Sequence, residues 1–266
     1  DYFVQFGRFY ADLDVGAPTI NQVDFDRKAV LMEDLGDQRL YDLIQSERSS
    51  EAEIIDCYGK TAEFLAFFHC KTTQNLAKCP LAGSRALDFD MLRWETNYFR
   101  KNFLGGIMKL PESQTEPLTE EFDRLALMTL EQPTILCHRD FQSQNIMIQN
   151  DRIRVVDVQG GRKGPIGYDL ASLLNDAYYD IPEHARLGLK RQYFDALSTN
   201  DFFAMPTDAD GRGLRPFDFE HFQEYFILAG LQRNCQALGA FGFLSLVKGK
   251  TWYLDYVPLG VKHLKR

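Results

Sequence analysis

Apolar residues return every third or fourth position along most of the chain, and four short β-branched stretches interrupt that rhythm. Residues 2–13 carry aromatic and aliphatic side chains at helical spacing, and Gly16, Pro18 and Asn21 then break the run. KAVLMED predicts a strand, which EDLGDQRLYDLI leaves through a Gly-containing turn into a short helix. Over residues 51–74, Ile54, Tyr58, Ala62, Leu65 and Phe68 form the buried stripe of a long helix. Leu87, Met91, Trp94, Tyr98 and Phe99 predict another, with the aromatic stripe Trp94, Tyr98 and Phe99 turned to the core. A helix over 122–130 breaks before Pro133. TILC, NIMI and IRVVDV then read as strands, the last two joined by the turn QNDR. Helix returns at Asp169, and 222–246 is the longest helical candidate in a mainly helical remainder.

The 266 residues are 45% hydrophobic, enough for a packed core in one large or two modest domains. With 30 Lys+Arg against 38 Asp+Glu the formal charge is −8, which argues against a nucleic-acid partner. The five cysteines form no CxxC pair, and no apolar run reaches the length of a membrane span. The N-terminus has no signal-peptide pattern, so a reducing cytoplasmic location without membrane attachment is expected. His184, His221 and His263 lack metal-ligand spacing with one another, so no zinc site is expected. His69 is expected to be a satisfied helix-face histidine. Lys163, in GGRKGP, reads either as a phosphate-side cation or as a solvated pair with Arg162.

The chemistry concentrates around the hairpin. Its register fixes residues before the first strand and after the second, so Asp140, Asn145 and Asp157 are expected at one end. Asn and Asp oxygens are hard ligands suited to Mg²⁺ that is completed by water and nucleotide phosphates. Asp140, near the cation without ligating it, is left free to accept a proton.

His138-Arg139-Asp140 followed by Asn145 resembles the H-x-D-x-x-x-x-N catalytic loop of the kinase superfamily. Val156-Asp157-Val158-Gln159-Gly160 stands where those enzymes keep their metal-binding Asp, although Val158 and Gln159 depart from D-F-G. In this it is closer to the aminoglycoside phosphotransferase and choline-kinase-like group. LMEDLGD, CHRDFQSQNIMI, VVDVQGGRKGPIGYDLASLL and LQRNCQALGAF are similar to segments of that group's bacterial cell-wall amino-sugar kinases, which phosphorylate the anomeric hydroxyl of N-acetylmuramate or N-acetylglucosamine.

The resemblance implies an α+β, protein-kinase-like fold. Residues 1–36 would be a remnant of the small lobe plus the inter-lobe linker, and 37–266 a large helical lobe with the catalytic hairpin. It implies transfer of phosphate from ATP, with Mg²⁺, to a hydroxyl of a small molecule, an amino sugar being favoured over an aminoglycoside or choline-type alcohol. Asp140 would be the base and Asn145 and Asp157 the metal ligands, while the Glu33 carbonyl and Leu35 amide would read adenine. Glu95, Asn97, Gln159 and Arg233 are the candidate substrate contacts. His138 would hold the loop, and Asp169 would cap a helix and hydrogen-bond the loop. The superfamily's Gly-rich loop and strand Lys do not precede Asp1, so the chain is expected to enter the fold at the helix before the fourth strand. That gap leaves a non-catalytic pseudokinase or binding module as the competing class, against which the competent types of Asp140, Asn145 and Asp157 weigh. A protein kinase is disfavoured, because Pro165-Ile166-Gly167-Tyr168 follows Asp157 too closely for a peptide-docking segment.

Overall fold

A computed structural model describes residues 2–200 and 217–266. The chain opens with α1 (Tyr2–Asp12) and the antiparallel pair β1 (Ile20–Asp24) and β2 (Ala29–Met32). β1 contains Asn21, which the sequence pattern reads as a break. Its pairing runs Gln22↔Leu31, Val23↔Val30 and Asp24↔Ala29, and an irregularity between Ile20 and Gln22 lets Asn21 into the strand. β1 is half exposed and lacks the alternation that β2 shows, so periodicity does not reveal it.

After α2 (Leu40–Gln45) comes α3 (Glu51–Gln74), whose start is fixed by a capping box: Glu53 N donates to Ser50 Oγ at 3.3 Å, and Ser50 N donates to Glu53 Oε2 at 2.8 Å. Ile54, Tyr58, Ala62, Leu65 and Phe68 are all buried, as their spacing requires. α4 (Pro80–Gly83) leads to α5 (Phe89–Phe99), which Asp88 caps through Met91 N at 2.9 Å and which runs on into a π-helical segment, Arg100–Ile107. The expected aromatic core stripe is only partly one. Phe99 is buried, whereas Trp94 is 48% exposed and stacks on Tyr98 at 5.0 Å.

α6 (Glu112–Thr115) and α7 (Leu118–Leu130) precede the sheet region of β3 (Thr134–Cys137), β4 (Ile146–Gln149), β5 (Arg152–Val155) and β6 (Arg162–Pro165). β4 and β5 form the expected hairpin, Ile146↔Val155 to Gln149↔Arg152. Asn150 and Asp151 both turn left-handed (φ 51° and 60°), the two-residue geometry that matches strand twist. β3 pairs antiparallel with β6. β6 carries Gly and Pro and has no strand signature of its own, so pairing with β3 defines it. The rest is helical: α8 (Tyr168–Leu174), α9 (Glu183–Thr199), α10 (Phe219–Leu246) and α11 (Val257–Leu264).

One buried cluster joins α1 to α3, α8, α9 and the start of α10, with Tyr10 packed on Phe68 at 5.2 Å between ring centroids. A smaller cluster of Phe99, Phe103, Phe122, Leu238 and Phe241 fills the far end of α10. Each such ring contributes about 1.5–3 kcal/mol by leaving water. The loops between β3 and α8 are thereby set on a rigid base.

Candidate active site

The segment after β3 is fixed from below by a buried polar chain. Asp169, fully buried, accepts the backbone N–H of His138 at 2.6 Å and of Arg139 at 2.8 Å, and His69 Nε2 lies 3.0 Å from the same carboxylate. His69 Nδ1 in turn meets the Tyr193 hydroxyl at 2.8 Å. Burial pushes the His69 imidazole below its ordinary value, against the pull of Asp169, so the ring is neutral near pH 7. Asp169 does not cap α8, where Gly167 holds the cap position; it makes the expected bond to the catalytic loop instead and also meets His69. His138 closes the loop sideways, its Nε2 2.9 Å from Val156 O. Arg139 is left-handed (φ 82°), and the next residue, Asp140, emerges 38% exposed with Oδ1 3.7 Å from the Arg233 guanidinium.

The hairpin brings the other two candidates to this loop. Asn145 Nδ2 donates to Asp140 O at 2.9 Å, and Val156 N donates to Asn145 O at 3.1 Å. The amide nitrogen is thus committed, leaving Oδ1 as the atom able to ligate a cation. Asp157 follows β5 in the left-handed region (φ 62°), which Asp tolerates, and its exposed carboxylate accepts the Gln159 side-chain amide. Gly160 lets this strand end lie against the loop, since a Cβ there would sit 3.3 Å from His138 O. Among the described residues no three His, Cys, Asp or Glu side chains gather to hold a metal. One Asn and one Asp oxygen instead suit an ion that keeps waters and takes phosphate oxygens, as Mg²⁺ does.

Two clefts flank these residues. The first, of ≈ 360 Å³, lies between residues 33–36 and 156–159, with Ile20, Met32 and Met147 as apolar walls. Its linker wall is braced by Arg154, whose guanidinium forks onto Glu33 at 3.0 and 2.8 Å and also donates to Gly16 O at 3.0 Å. That pairing holds the Glu33 carboxyl at about 2. The second cleft, of ≈ 120 Å³, opens beside Asp140, with Gln142, Asp176 and Arg233 on a polar side and Phe241, Leu244 and Tyr253 on an apolar one. Burial pushes the Asp176 carboxyl up to about 6, although it accepts Ser143 N at 2.8 Å and Tyr178 N at 3.3 Å.

Residues 6–205 match the model of the phosphotransferase enzyme family. The chain belongs to that family. It is 28% identical over 259 residues, 95% of this chain and 70% of the relative, to an N-acetylmuramate/N-acetylglucosamine kinase of Neisseria meningitidis. A kinase of the same name from Pseudomonas putida is 27% identical, over 96% of this chain and 69% of that one. Among solved structures, a choline kinase from Cryptosporidium parvum aligns with TM-score 0.61 at 13% identity, over 100% of this chain and 79% of that one. A Plasmodium vivax ethanolamine kinase gives 0.60 at 14%, over 100% and 72%. These shared folds are protein-kinase-like, so the α+β, kinase-like expectation holds, and the protein is a small-molecule phosphotransferase.

In this phosphotransferase, Asp140 and Asn145 share one loop, Asp157 stands beside it, and Glu33, Leu35, Asp157 and Gln159 line the first cleft. Arg233 lines the second. Glu95 and Asn97 line neither. Glu95 points into the protein beneath the loop and is fully buried, and Asn97 sits on the exposed face of α5. Lys163 is half-buried on β6, opposite in facing to the buried Arg162. Sequence reasoning missed Asp176, Gln142 and Arg154. For Asp176 one signal existed: an acid inside the mainly apolar run LASLLNDAYY has to be either paired or functional.

Proposed function

We propose that the protein transfers the γ-phosphate of ATP, bound with Mg²⁺, to a hydroxyl of an amino sugar, the acceptor class named for its curated relatives. One observation carries this: Asp140 lines the polar side of the second cleft while its own carbonyl holds Asn145, which is hydrogen-bonded to Val156 in the wall of the cleft containing Asp157. Donor and acceptor can therefore approach from opposite sides of a single loop. Adenine fits the first cleft, against the Glu33 carbonyl and Leu35 amide, with residues 1–36 as the remaining small-lobe wall. Asn145 and Asp157 would hold Mg²⁺, which supplies neutralisation of phosphate charge. Asp140 accepts the acceptor's proton, with Arg233 beside it and Gln159 at the phosphate side. The five cysteines are all buried and free, which suits a reducing cytoplasm.

The test is an ATP-consumption screen of amino sugars, aminoglycosides and choline-like alcohols with the full-length protein. Turnover with an amino sugar is expected, and Asp140→Asn should lower it roughly 10²- to 10⁴-fold while nucleotide still binds. Turnover confined to the other alcohols would overturn the acceptor class. Undiminished turnover in Asp140→Asn would overturn the base.

A further inference from the structure

Glu95 is fully buried, lines neither cleft and carries an ionisable group, so its place inside the protein needs partners. It has three. Tyr168 donates its hydroxyl to Oε1 at 2.9 Å, Gln232 Nε2 donates to Oε2 at 3.1 Å, and the Arg139 guanidinium lies 3.7 Å from Oε1. Burial raises the carboxyl's pKa, and Gln232, Arg139, Tyr168 and Arg233 oppose that rise.

Each partner is the chain neighbour of a residue already placed at the site. Arg139 precedes Asp140. Gln232 precedes Arg233, whose guanidinium stands 3.7 Å from Asp140 Oδ1. Tyr168 precedes Asp169, which holds the loop's backbone N–H groups. Arg139 is also the residue kept left-handed at φ 82°, a conformation that a non-glycine residue holds only when its surroundings impose it. Asp169 secures its N–H, and Glu95 faces its side chain.

We propose that Glu95 is a positioning residue, which ties α5, α8, α10 and the catalytic loop to one buried carboxylate and so sets where Asp140 meets the acceptor hydroxyl and its cationic neighbour Arg233. This rests on Asp140 acting as the base. Loss of the carboxyl group that its guanidinium faces frees Arg139 to relax toward negative φ, which carries Asp140 out of line. A small misplacement of a reacting group slows the chemical step far more than it weakens ligand binding.

The experiment compares kcat and both KM values for the parent, Glu95→Gln, Arg139→Met, the double variant and Asp140→Asn in the full-length protein, with active-site concentration set by nucleotide titration. Glu95→Gln and Arg139→Met should each lower kcat roughly 10- to 100-fold. Nucleotide KM should stay within about twofold, and the double variant should fall no further than the worse single one. Unchanged kcat in either single variant, losses confined to KM, or additive losses in the double would overturn the proposal. Should Glu95→Gln fail to fold, Arg139→Met decides alone, because Arg139 is partly exposed and its unchanged kcat would still be a refutation. If Asp140→Asn keeps full turnover, the base assignment fails instead, whatever Glu95 does.

Discussion

Asp169 shows how much of the site's geometry one side chain carries. Its two oxygens accept the N–H groups of His138 and Arg139 and also meet His69, with Asp169, His138 and His69 fully buried. In Asp169→Asn, one of the two acceptors becomes an N–H₂ facing a backbone donor, so one buried N–H is left unpaired. The expected cost is about 3 kcal/mol of stability. Urea unfolding of parent and variant checks it, and equal midpoints with equal slopes would refute it. The residues whose placement follows from local spacing were legible in sequence: Asp140, Asn145 and Asp157 are brought together by a short loop and a short hairpin. Glu95 was visible only as a polar letter on an amphipathic helix, and its partners Tyr168 and Gln232 lie 73 and 137 residues away. No local pattern distinguishes a buried acid with distant partners from a solvated one.

At the scale of elements, the linker after β2 is held to the β4–β5 hairpin by Arg154, which reaches Glu33, Gln149, Gly16 and Ala17 at once. The Glu33 carboxyl sits at about 2 instead of its ordinary 4.5, so the pair stabilises the fold fully above about pH 4.5 and loses that contribution as pH falls toward about 2. Because both side chains are partly open to water, the pair contributes about 1 kcal/mol at pH 7. Arg154→Met should therefore melt below the parent at pH 7, with the gap narrowing as the pH is lowered from about 5 to about 2. Nucleotide KM should rise as well, since the first cleft loses its brace. Calorimetry across that range checks the first effect, and a gap independent of pH would exclude the ion pair as its source. The elements themselves were legible where local chemistry defines them. α3 announces itself by a 3.6-residue stripe, and the β4–β5 hairpin by its turn residues. β1 and β6 did not, because one is half exposed and the other, Arg162–Pro165, is made a strand by its pairing with β3 and with the segment around Ala86.

Across the whole molecule, α1 shares its core with α3 and α8–α10, so the wall of the first cleft contributed by Phe3 and Gly7 rides on the same packed body as the catalytic loop. A ligand bridging residues 33–36 and 156–159 then binds a surface that exists only when this body is folded, and its binding free energy appears as stability. ATP with Mg²⁺ at 100 times its dissociation constant should add about 2.7 kcal/mol. For a chain of this size that raises the melting temperature by roughly 5 °C. If Asn145 and Asp157 provide the cation's protein oxygens, most of the shift should vanish when EDTA replaces Mg²⁺, and Asp157→Ala should show the same small shift with or without the metal. Thermal unfolding of parent and variant with and without ATP, each in Mg²⁺ or in EDTA, separates the alternatives. Equal shifts of the parent with and without Mg²⁺ would mean that nucleotide binds without the cation at Asp157, and that the exposed left-handed carboxylate after β5 serves the strand end alone.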